Sequence, residues 1–340
     1  MSEPHVLLLT LGGTIFMTES AGGGHAAPDA EAGRRLAATA VDGLRVTARQ
    51  LANTSSSDLR PHHWRRVLEE ARAAVDDGAV GVVLTHGTDT LEETAFALSR
   101  LWDREAPLVI TGAMRPASAP GADGPANLRD ALIAAADPAA RGLGPLVVFD
   151  GMLHLADQVT KASSRSVSAF ASHPVGPVGM VDDGRVVLLQ RPLPRPAPLD
   201  LELPDALPRV PALIAGIDED LALLDHLPTG AIAGLVIAGV GMGHVAPEAM
   251  DCIRRLFAAG IPVVVATRIA TGGTSEHHYA YPGSEVDLLA AGAVMAGFLP
   301  PAQARLLLQL LLAAGVQDVR GAFRDAGPGR TGALPGPGTP

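Results

Sequence analysis

The sequence contains 340 residues, enough for two domains with separate hydrophobic cores. Its formal net charge of −10 disfavours nucleic-acid binding, which needs a basic face, and no apolar stretch reaches the ~18 residues of a membrane span. Hydrophobic residues make up 47% of the chain but aromatic residues only 3%, a balance typical of helices packed on parallel sheets. We therefore expect an α/β protein that binds neither nucleic acid nor a membrane.

The first predicted element is a strand over Val6–Thr10. No basic residues precede this short apolar run, so it is interpreted as a strand and not as a signal peptide. Cys252 is the only cysteine, so no intrachain disulfide can form and nothing requires an oxidising compartment. These features predict a cytoplasmic protein.

Apolar runs that end in glycine alternate with helix-length segments through the first half of the chain. This alternation predicts βαβ units and a parallel sheet, and ligands bind such sheets outside the carboxyl ends of the strands. The further predicted strands are Val80–Thr85, Leu108–Thr111 and Leu146–Phe149, and the predicted helices are Pro61–Val75, Leu91–Trp102 and Pro125–Ala136.

A proline-rich segment over 191–211 predicts a linker between domains. We expect a larger N-terminal catalytic α/β domain over 1–190, a smaller C-terminal α/β domain over 212–322, and a disordered tail over 323–340. In the smaller domain the predicted strands are Leu213–Ile217, Gly234–Ile237 and Pro262–Ala266, and the predicted helices are Pro247–Ala259 and Pro301–Ala314.

Gly12, Gly13 and Thr14 follow directly after the first predicted strand. Two residues without side chains allow a substrate to approach the backbone, whose N–H groups can face an oxyanion. Taken alone, however, these three residues are more typical of a plain strand–turn in which Thr14 caps the next element.

A second motif, His86-Gly87-Thr88-Asp89-Thr90, follows the predicted strand Val80–Thr85. Thr90 and Glu93 could form a capping box at the start of a helix. That interpretation leaves the preceding order of residues unexplained, whereas Thr88 and Asp89 on one turn can present a hydroxyl and a carboxylate to one ligand. His86 is interpreted as a residue that anchors the turn.

Lys161 is the only lysine among 26 Lys and Arg residues. Arginine stays charged in proteins, whereas a lysine amine can lose its proton and act as a base. The lone lysine could be a coincidence. Together with Thr14, Thr88 and Asp89, however, it completes a set of two hydroxyls, a carboxylate and an amine that favours a threonine amidohydrolase.

These motifs, in this order, resemble the bacterial-type L-asparaginase/glutaminase family over about residues 5 to 316. The resemblance implies an amidohydrolase that converts L-asparagine to L-aspartate and ammonia through a threonine acyl-enzyme. Thr14 matches the first nucleophilic threonine, and Thr88, Asp89 and Lys161 match a hydroxyl–carboxylate–amine relay. The residues whose positions match substrate-binding segments are Gly13, Ser56, Ser57, Gly87 and Ala113.

The chain departs from the family pattern at several places, including Ser57, where a glutamine is common, and His244, where an asparagine is common. No tyrosine stands in the loop after Thr14, where Thr18 or His25 could replace it and three glycines suggest a lid. In the second domain Glu276 is the acidic residue nearest to the position that binds the substrate amine in the family. These departures leave open a different or modified amide substrate, or a non-catalytic amino-acid-binding homologue.

The resemblance implies no cofactor, and a homodimer or homotetramer that acts on a small amino-acid amide. The histidine pairs His62-His63 and His277-His278 could suggest a metal. Adjacent histidines point apart on a helix or strand, and no second histidine four residues away accompanies either pair. We therefore expect no metal site.

Overall fold

The computed structural model describes residues 3–19, 26–28, 41–226, 228 and 230–326. The chain divides into two compact units, Met1–Pro198 with Leu203–Ala206 and Leu199–Glu202 with Leu207–Pro340. Among the described residues, no helix has the length and apolar character needed to cross a membrane.

The first unit is built on an eight-stranded sheet. Its central strands are parallel and fully buried, as expected of apolar runs covered on both faces, and a meander of antiparallel strands extends one edge. Numbered along the chain and given in spatial order, the strands are β12 (Arg185–Leu188), β11 (Gly179–Asp182), β8 (Met152–Leu155), β7 (Pro145–Phe149), β6 (Leu108–Thr111), β5 (Gly81–Thr85), β1 (His5–Thr10) and β4 (Arg45–Gln50).

Helices cover this sheet because their apolar residues recur every three or four positions. In α3 the residues Leu128, Ala131, Leu132 and Ala135 form such a stripe and are buried in the core cluster of the unit. The helices of the unit are α1 (Pro61–Asp76), α2 (Leu91–Leu101) and α3 (Gly124–Ala136). The unit also has two small antiparallel ribbons. One pairs β2 (Met17–Glu19) with β3 (Ala26–Pro28), and the other pairs β9 (Thr160–Lys161) with β10 (Phe170–Ala171).

The second unit contains a smaller, fully parallel sheet of four strands, and its own apolar core lies between this sheet and its helices. The strands lie in the order β13 (Ala212–Ile214), β14 (Leu235–Gly239), β15 (Val263–Thr267) and β16 (Val294–Met295), and the helices are α4 (Ala249–Ala258), α5 (Glu285–Ala290), α6 (Pro301–Ala313) and α7 (Val319–Arg324).

The expected α/β class is confirmed, with corrections at particular elements. The predicted strand to Ile217 ends at Ile214, because the chain turns at Asp218 (φ 61°) and leaves Ile217 fully exposed. The predicted tail begins too early, since Phe323 lies in α7 and both Phe323 and Ala326 are buried. Residues 327–340 of that tail lie outside the described residues.

The proline-rich segment 191–211 contains no helix or strand, but it is not a free spacer. Leu203 is buried in the first unit, where its carbonyl accepts a hydrogen bond from Arg65. The carbonyl of Pro208 accepts one from Gln309 within the second unit. Parts of the predicted linker are therefore fixed on the surface of each unit.

Candidate active site

Three neighbouring strands of the first unit end at the same level. Thr10 of β1 lies opposite Thr85 of β5, and Thr85 lies opposite Thr111 of β6. The motifs that begin at Gly12, His86 and Gly112 therefore leave the sheet side by side, at the edge where parallel sheets bind ligands.

The glycine pair after β1 brings two of these segments into backbone contact. Gly12 and Gly13 have φ values of 107° and 103°, which side-chain-bearing residues rarely adopt. A Cβ on Gly13 would lie 2.8 Å from the backbone nitrogen of Gly87, and a Cβ on Gly12 would lie 2.9 Å from that of Thr54. Only glycine permits this close approach, which delivers the half-buried Thr14 beside the second motif.

The predicted relay residues lie within hydrogen-bonding distance of one another. Lys161 Nζ donates to Thr88 Oγ1 at 3.0 Å and to Asp89 Oδ1 at 2.8 Å. The Lys161 side chain is 15% exposed and that of Asp89 is 73% exposed, while Thr88 is buried. The amine thus lies between an enclosed hydroxyl and a solvated carboxylate.

The carboxylate of Glu92 contacts the backbone of Lys161. Glu92 Oε2 accepts a hydrogen bond from the Lys161 backbone N–H at 2.6 Å. Burial raises the pKa of the Glu92 carboxyl, while the hydrogen bond from Lys161 opposes that rise. Sequence reasoning assigned Glu92 no role, because acidic residues are common in the first turn of any helix.

His86 lies at the centre of a directional chain of hydrogen bonds. Trp64 Nε1 can only donate, and it does so to Thr94 Oγ1 at 3.0 Å. The Gly87 carbonyl can only accept, so His86 Nδ1 carries the hydrogen of the 2.6 Å bond between them. His86 Nε2 then accepts from the Thr94 hydroxyl at 2.8 Å.

Burial lowers the pKa of His86 to about 4, so its ring is neutral near pH 7, as this pattern requires. The interpretation of His86 as an anchor of the turn agrees with these contacts. The sequence did not predict that Trp64 and Thr94 hold His86, because the Trp64 indole, the Thr94 hydroxyl and the His86 ring come together only in the folded chain.

The two serines predicted to bind substrate lie in different surroundings. Ser56 is buried against Gly87, where a Cβ would be 3.0 Å from Ser56 Oγ, and its carbonyl accepts from Thr90 Oγ1 at 2.7 Å. Ser57 is exposed, and its hydroxyl pairs with that of Ser55 at 2.9 Å. Ser56 is therefore the one fixed beside the second motif.

Ala113, also predicted to bind substrate, is buried in a loop that is fixed on both sides. Asp123 accepts from the backbone N–H of Met114 at 2.9 Å, and Asn127 Nδ2 donates to the carbonyl of Gly112 at 3.0 Å. These contacts leave the loop backbone little freedom at the edge of the sheet.

In the second unit the buried carboxylate of Glu285 lies in a cluster with His244, Tyr279 and Tyr281. Glu285 accepts from His244 Nε2 at 2.9 Å and from the backbone N–H of Tyr279 at 2.7 Å, and Tyr281 Oη lies 2.7 Å from His244 Nδ1. Burial alone raises the pKa of the Glu285 carboxyl, but the backbone N–H donors and His244 bring it below its usual value. This cluster was not predicted from the sequence.

Glu276 also belongs to the second unit and is exposed. It lines a cavity of about 260 Å³ together with His277, Arg320 and Arg324. The loop residue His25 lies outside the described residues, and so does the side chain of Thr18. Among the residues that the structure describes, no group of three or more His, Cys, Asp or Glu side chains could hold a metal ion.

Comparison with known proteins gives matches over both units. Residues 5–194 match the family model of the N-terminal domain of asparaginase, and residues 209–323 match that of the C-terminal domain of glutaminase/asparaginase. Together these matches span most of the chain.

Two curated relatives are similar over nearly their whole length. The L-asparaginase 2 of Escherichia coli is 33% identical over 92% of this chain and 90% of its own. A probable L-asparaginase of Deinococcus radiodurans is 37% identical over 95% of this chain and 98% of its own.

A solved structure shows the same fold. The crystal structure of a probable cytoplasmic L-asparaginase from Campylobacter jejuni superposes with a TM-score of 0.79 at 30% identity, covering 94% of this chain and 99% of that one.

Proposed function

This chain belongs to the asparaginase family, and we propose that it hydrolyses L-asparagine to L-aspartate and ammonia. The observation that carries the proposal is the position of the Lys161 amine, which contacts both Thr88 and Asp89 beside the strand end that presents Thr14. An amide carbonyl resists attack by water, and a nucleophile, a base and an oxyanion site are what its hydrolysis requires.

In the proposed reaction, Thr14 Oγ attacks the side-chain amide carbon of the substrate and loses its proton to the relay of Thr88, Asp89 and Lys161. The carbon–nitrogen bond then breaks, and the nitrogen takes up a proton and leaves as ammonia. Water next attacks the resulting ester carbon, which frees L-aspartate and returns a proton to Thr14 Oγ. The same relay takes the proton from that water.

The remaining predicted residues are proposed to bind the substrate. Backbone groups at Gly13, Gly87 and Ala113 line the ends of three strands, where N–H groups can face an oxyanion. Of the two serines, Ser56 is the better candidate for a ligand of the substrate carboxylate, because it is fixed against Gly87 whereas Ser57 is exposed. Glu276 is proposed as the ligand of the substrate amine.

We further propose that the protein is cytoplasmic and forms a homodimer or homotetramer. Cys252 is the sole cysteine and is buried, so intrachain disulfides contribute nothing to the fold. The similar protein from Campylobacter jejuni is described as cytoplasmic, whereas a relative from Haemophilus influenzae is described as periplasmic. Light scattering of the purified protein measures the assembly directly.

Ammonia release from a panel of amides tests the substrate. We expect the highest kcat/KM with L-asparagine, lower values with L-glutamine and D-asparagine, and the lowest with succinamate, which lacks the α-amine. One aspartate should form for each ammonia. Preference for another amide would favour a different substrate, and no release from any amide would favour a homologue that only binds amino acids.

A further inference from the structure

The relay residues lie on two separate pieces of chain. Thr88 and Asp89 lie on the turn before α2, whereas Lys161 lies on β9. The β9–β10 ribbon consists of only two residues on each strand. So short a ribbon is only marginally stable by itself, and contacts with other segments help to set the position of its backbone.

Glu92 makes that contact from the piece of chain that carries Thr88 and Asp89. It lies in the first turn of α2, which begins at Leu91, and its Oε2 accepts the Lys161 backbone N–H at 2.6 Å. A hydrogen bond to a carboxylate is shorter and about twice as strong as one between neutral groups. The carboxylate therefore joins the two pieces at the residue whose amine completes the relay.

The other strand of the ribbon is anchored independently. Ser172, which follows β10, shares a 2.9 Å hydrogen bond with Nδ1 of the buried His154 on β8. The His154 contact ties the ribbon to the sheet, whereas the Glu92 contact ties it to the turn. The Glu92 contact comes from the same segment that carries Thr88 and Asp89, so it bears directly on the distance from Lys161 to those residues.

We propose that Glu92 is a positioning residue for amide hydrolysis, which holds the Lys161 backbone so that Nζ reaches Thr88 Oγ1 and Asp89 Oδ1 together. Glu92 itself touches neither of those two atoms in any contact of the structure. The inference rests on the proposed function for its kinetic consequence. Its geometric part, the hydrogen bond to the Lys161 N–H, stands without it.

Three substitutions separate position from charge. Glu92→Gln keeps an oxygen acceptor at the same reach, Glu92→Asp keeps the charge but withdraws the oxygen by one methylene, and Glu92→Ala removes the acceptor. Glu69→Gln removes one charge from an exposed position on α1 and serves as the matched control.

We expect Glu92→Asp and Glu92→Ala to lower kcat by about 10²-fold with KM nearly unchanged, because displacement of a catalytic group by about 1 Å has that cost. Glu92→Gln should keep most of the wild-type kcat, and Glu69→Gln all of it. Wild-type kcat in Glu92→Asp, or a loss in Glu92→Gln as large as in Glu92→Asp, would overturn the proposal. Should Glu92→Ala fail to fold, the Asp and Gln pair decides.

The lone lysine provides a second readout that does not depend on activity. Protein labelled with ¹⁵N-lysine gives one lysine backbone amide signal, that of Lys161. A strong hydrogen bond to Glu92 shifts its proton downfield, so the signal should move upfield in Glu92→Asp and Glu92→Ala but little in Glu92→Gln. An unmoved signal in the Asp and Ala variants would refute the contact. Absence of wild-type ammonia release would refute the proposed function and leave this measurement to decide the geometry.

Discussion

Lys161 Nζ and Asp89 Oδ1 lie 2.8 Å apart, although 72 positions separate the two residues along the chain. The only lysine of the protein thus contacts a carboxylate that is itself largely exposed. Because the Asp89 side chain is 73% exposed, solvent screens this ion pair and its contribution to stability is small. We therefore propose that the pair serves the neighbouring Thr88 hydroxyl more than the stability of the fold.

Lys161→Arg should give a folded protein that is nearly inactive. A guanidinium cannot give up its proton and brings a planar fork into a site shaped for an amine, and loss of a general base costs roughly 10²–10⁴ in rate. The ammonia assay measures kcat. The control is Arg129→Lys, the reverse exchange at an exposed residue that pairs with Asp130, and this variant should stay within a few-fold of wild type. If Lys161→Arg also kept kcat within a few-fold of wild type, the presence of a lysine at this position would be a coincidence.

Thr14→Ala should abolish turnover while the protein still folds. The half-buried hydroxyl is the proposed nucleophile, and removal of such a group lowers the rate by several orders of magnitude. Thr14→Ser, which retains the hydroxyl, should keep measurable activity. Thermal unfolding checks that each variant is folded, and mass spectrometry during turnover should detect an acyl adduct only when a hydroxyl is present. Turnover by Thr14→Ala near the wild-type rate would assign the nucleophile elsewhere.

Gly13→Ala should reduce both stability and activity. The new Cβ would lie 2.8 Å from the backbone nitrogen of Gly87 at a φ of 103°, so the two segments would have to separate. Gly78 also has a positive φ, 95°, but a Cβ there would meet nothing within 4 Å. Gly78→Ala thus carries only the conformational cost, about 1–2 kcal/mol, and should leave kcat unchanged. Equal kcat values in the two variants would show that the close approach of Gly13 to Gly87 is dispensable.

Stability should fall as the pH is lowered from about 6.5 towards 4. Burial lowers the pKa values of His86 and His154 to about 4, from 6.5 in the unfolded chain. Between these values the unfolded state binds protons that the folded state does not, so acid favours unfolding. Each histidine accounts for a loss of about 3 kcal/mol once the pH is below its folded pKa.

Urea unfolding at fixed protein concentration, at pH 7 and pH 4.5, measures this dependence. His154→Asn removes one titrating ring and can keep a partner for Ser172, so its free energy of unfolding should decrease less over the same interval. The same decrease in the variant as in wild type would mean that His154 does not titrate as its burial requires.

Much of the fold followed from local patterns. Alternating apolar runs, glycines and helix-length segments predicted the parallel core of both units, because strands buried on both faces must be continuously apolar. The antiparallel strands β8, β11 and β12 were not predicted. Each has four residues and a weak pattern. Two of the pairings, β7–β8 and β11–β12, are local hairpins, whereas the pairing of β11 with β8 joins strands that are distant in sequence.

The residues of the candidate site likewise include some that local sequence predicts and others that only the fold brings together. The order of Thr88 and Asp89 on one turn can be read from the sequence, because adjacent residues remain adjacent in any fold. Nothing local placed Lys161 beside them, and that expectation came from family resemblance. Sequence alone determined which chemical groups the protein has and which strand ends carry them. The tertiary structure decided which of these groups come into contact. The hydrogen bond between Glu92 and the Lys161 backbone is one example. It depends on how the β9–β10 ribbon packs beside α2, because spacing along the chain does not determine long-range contacts.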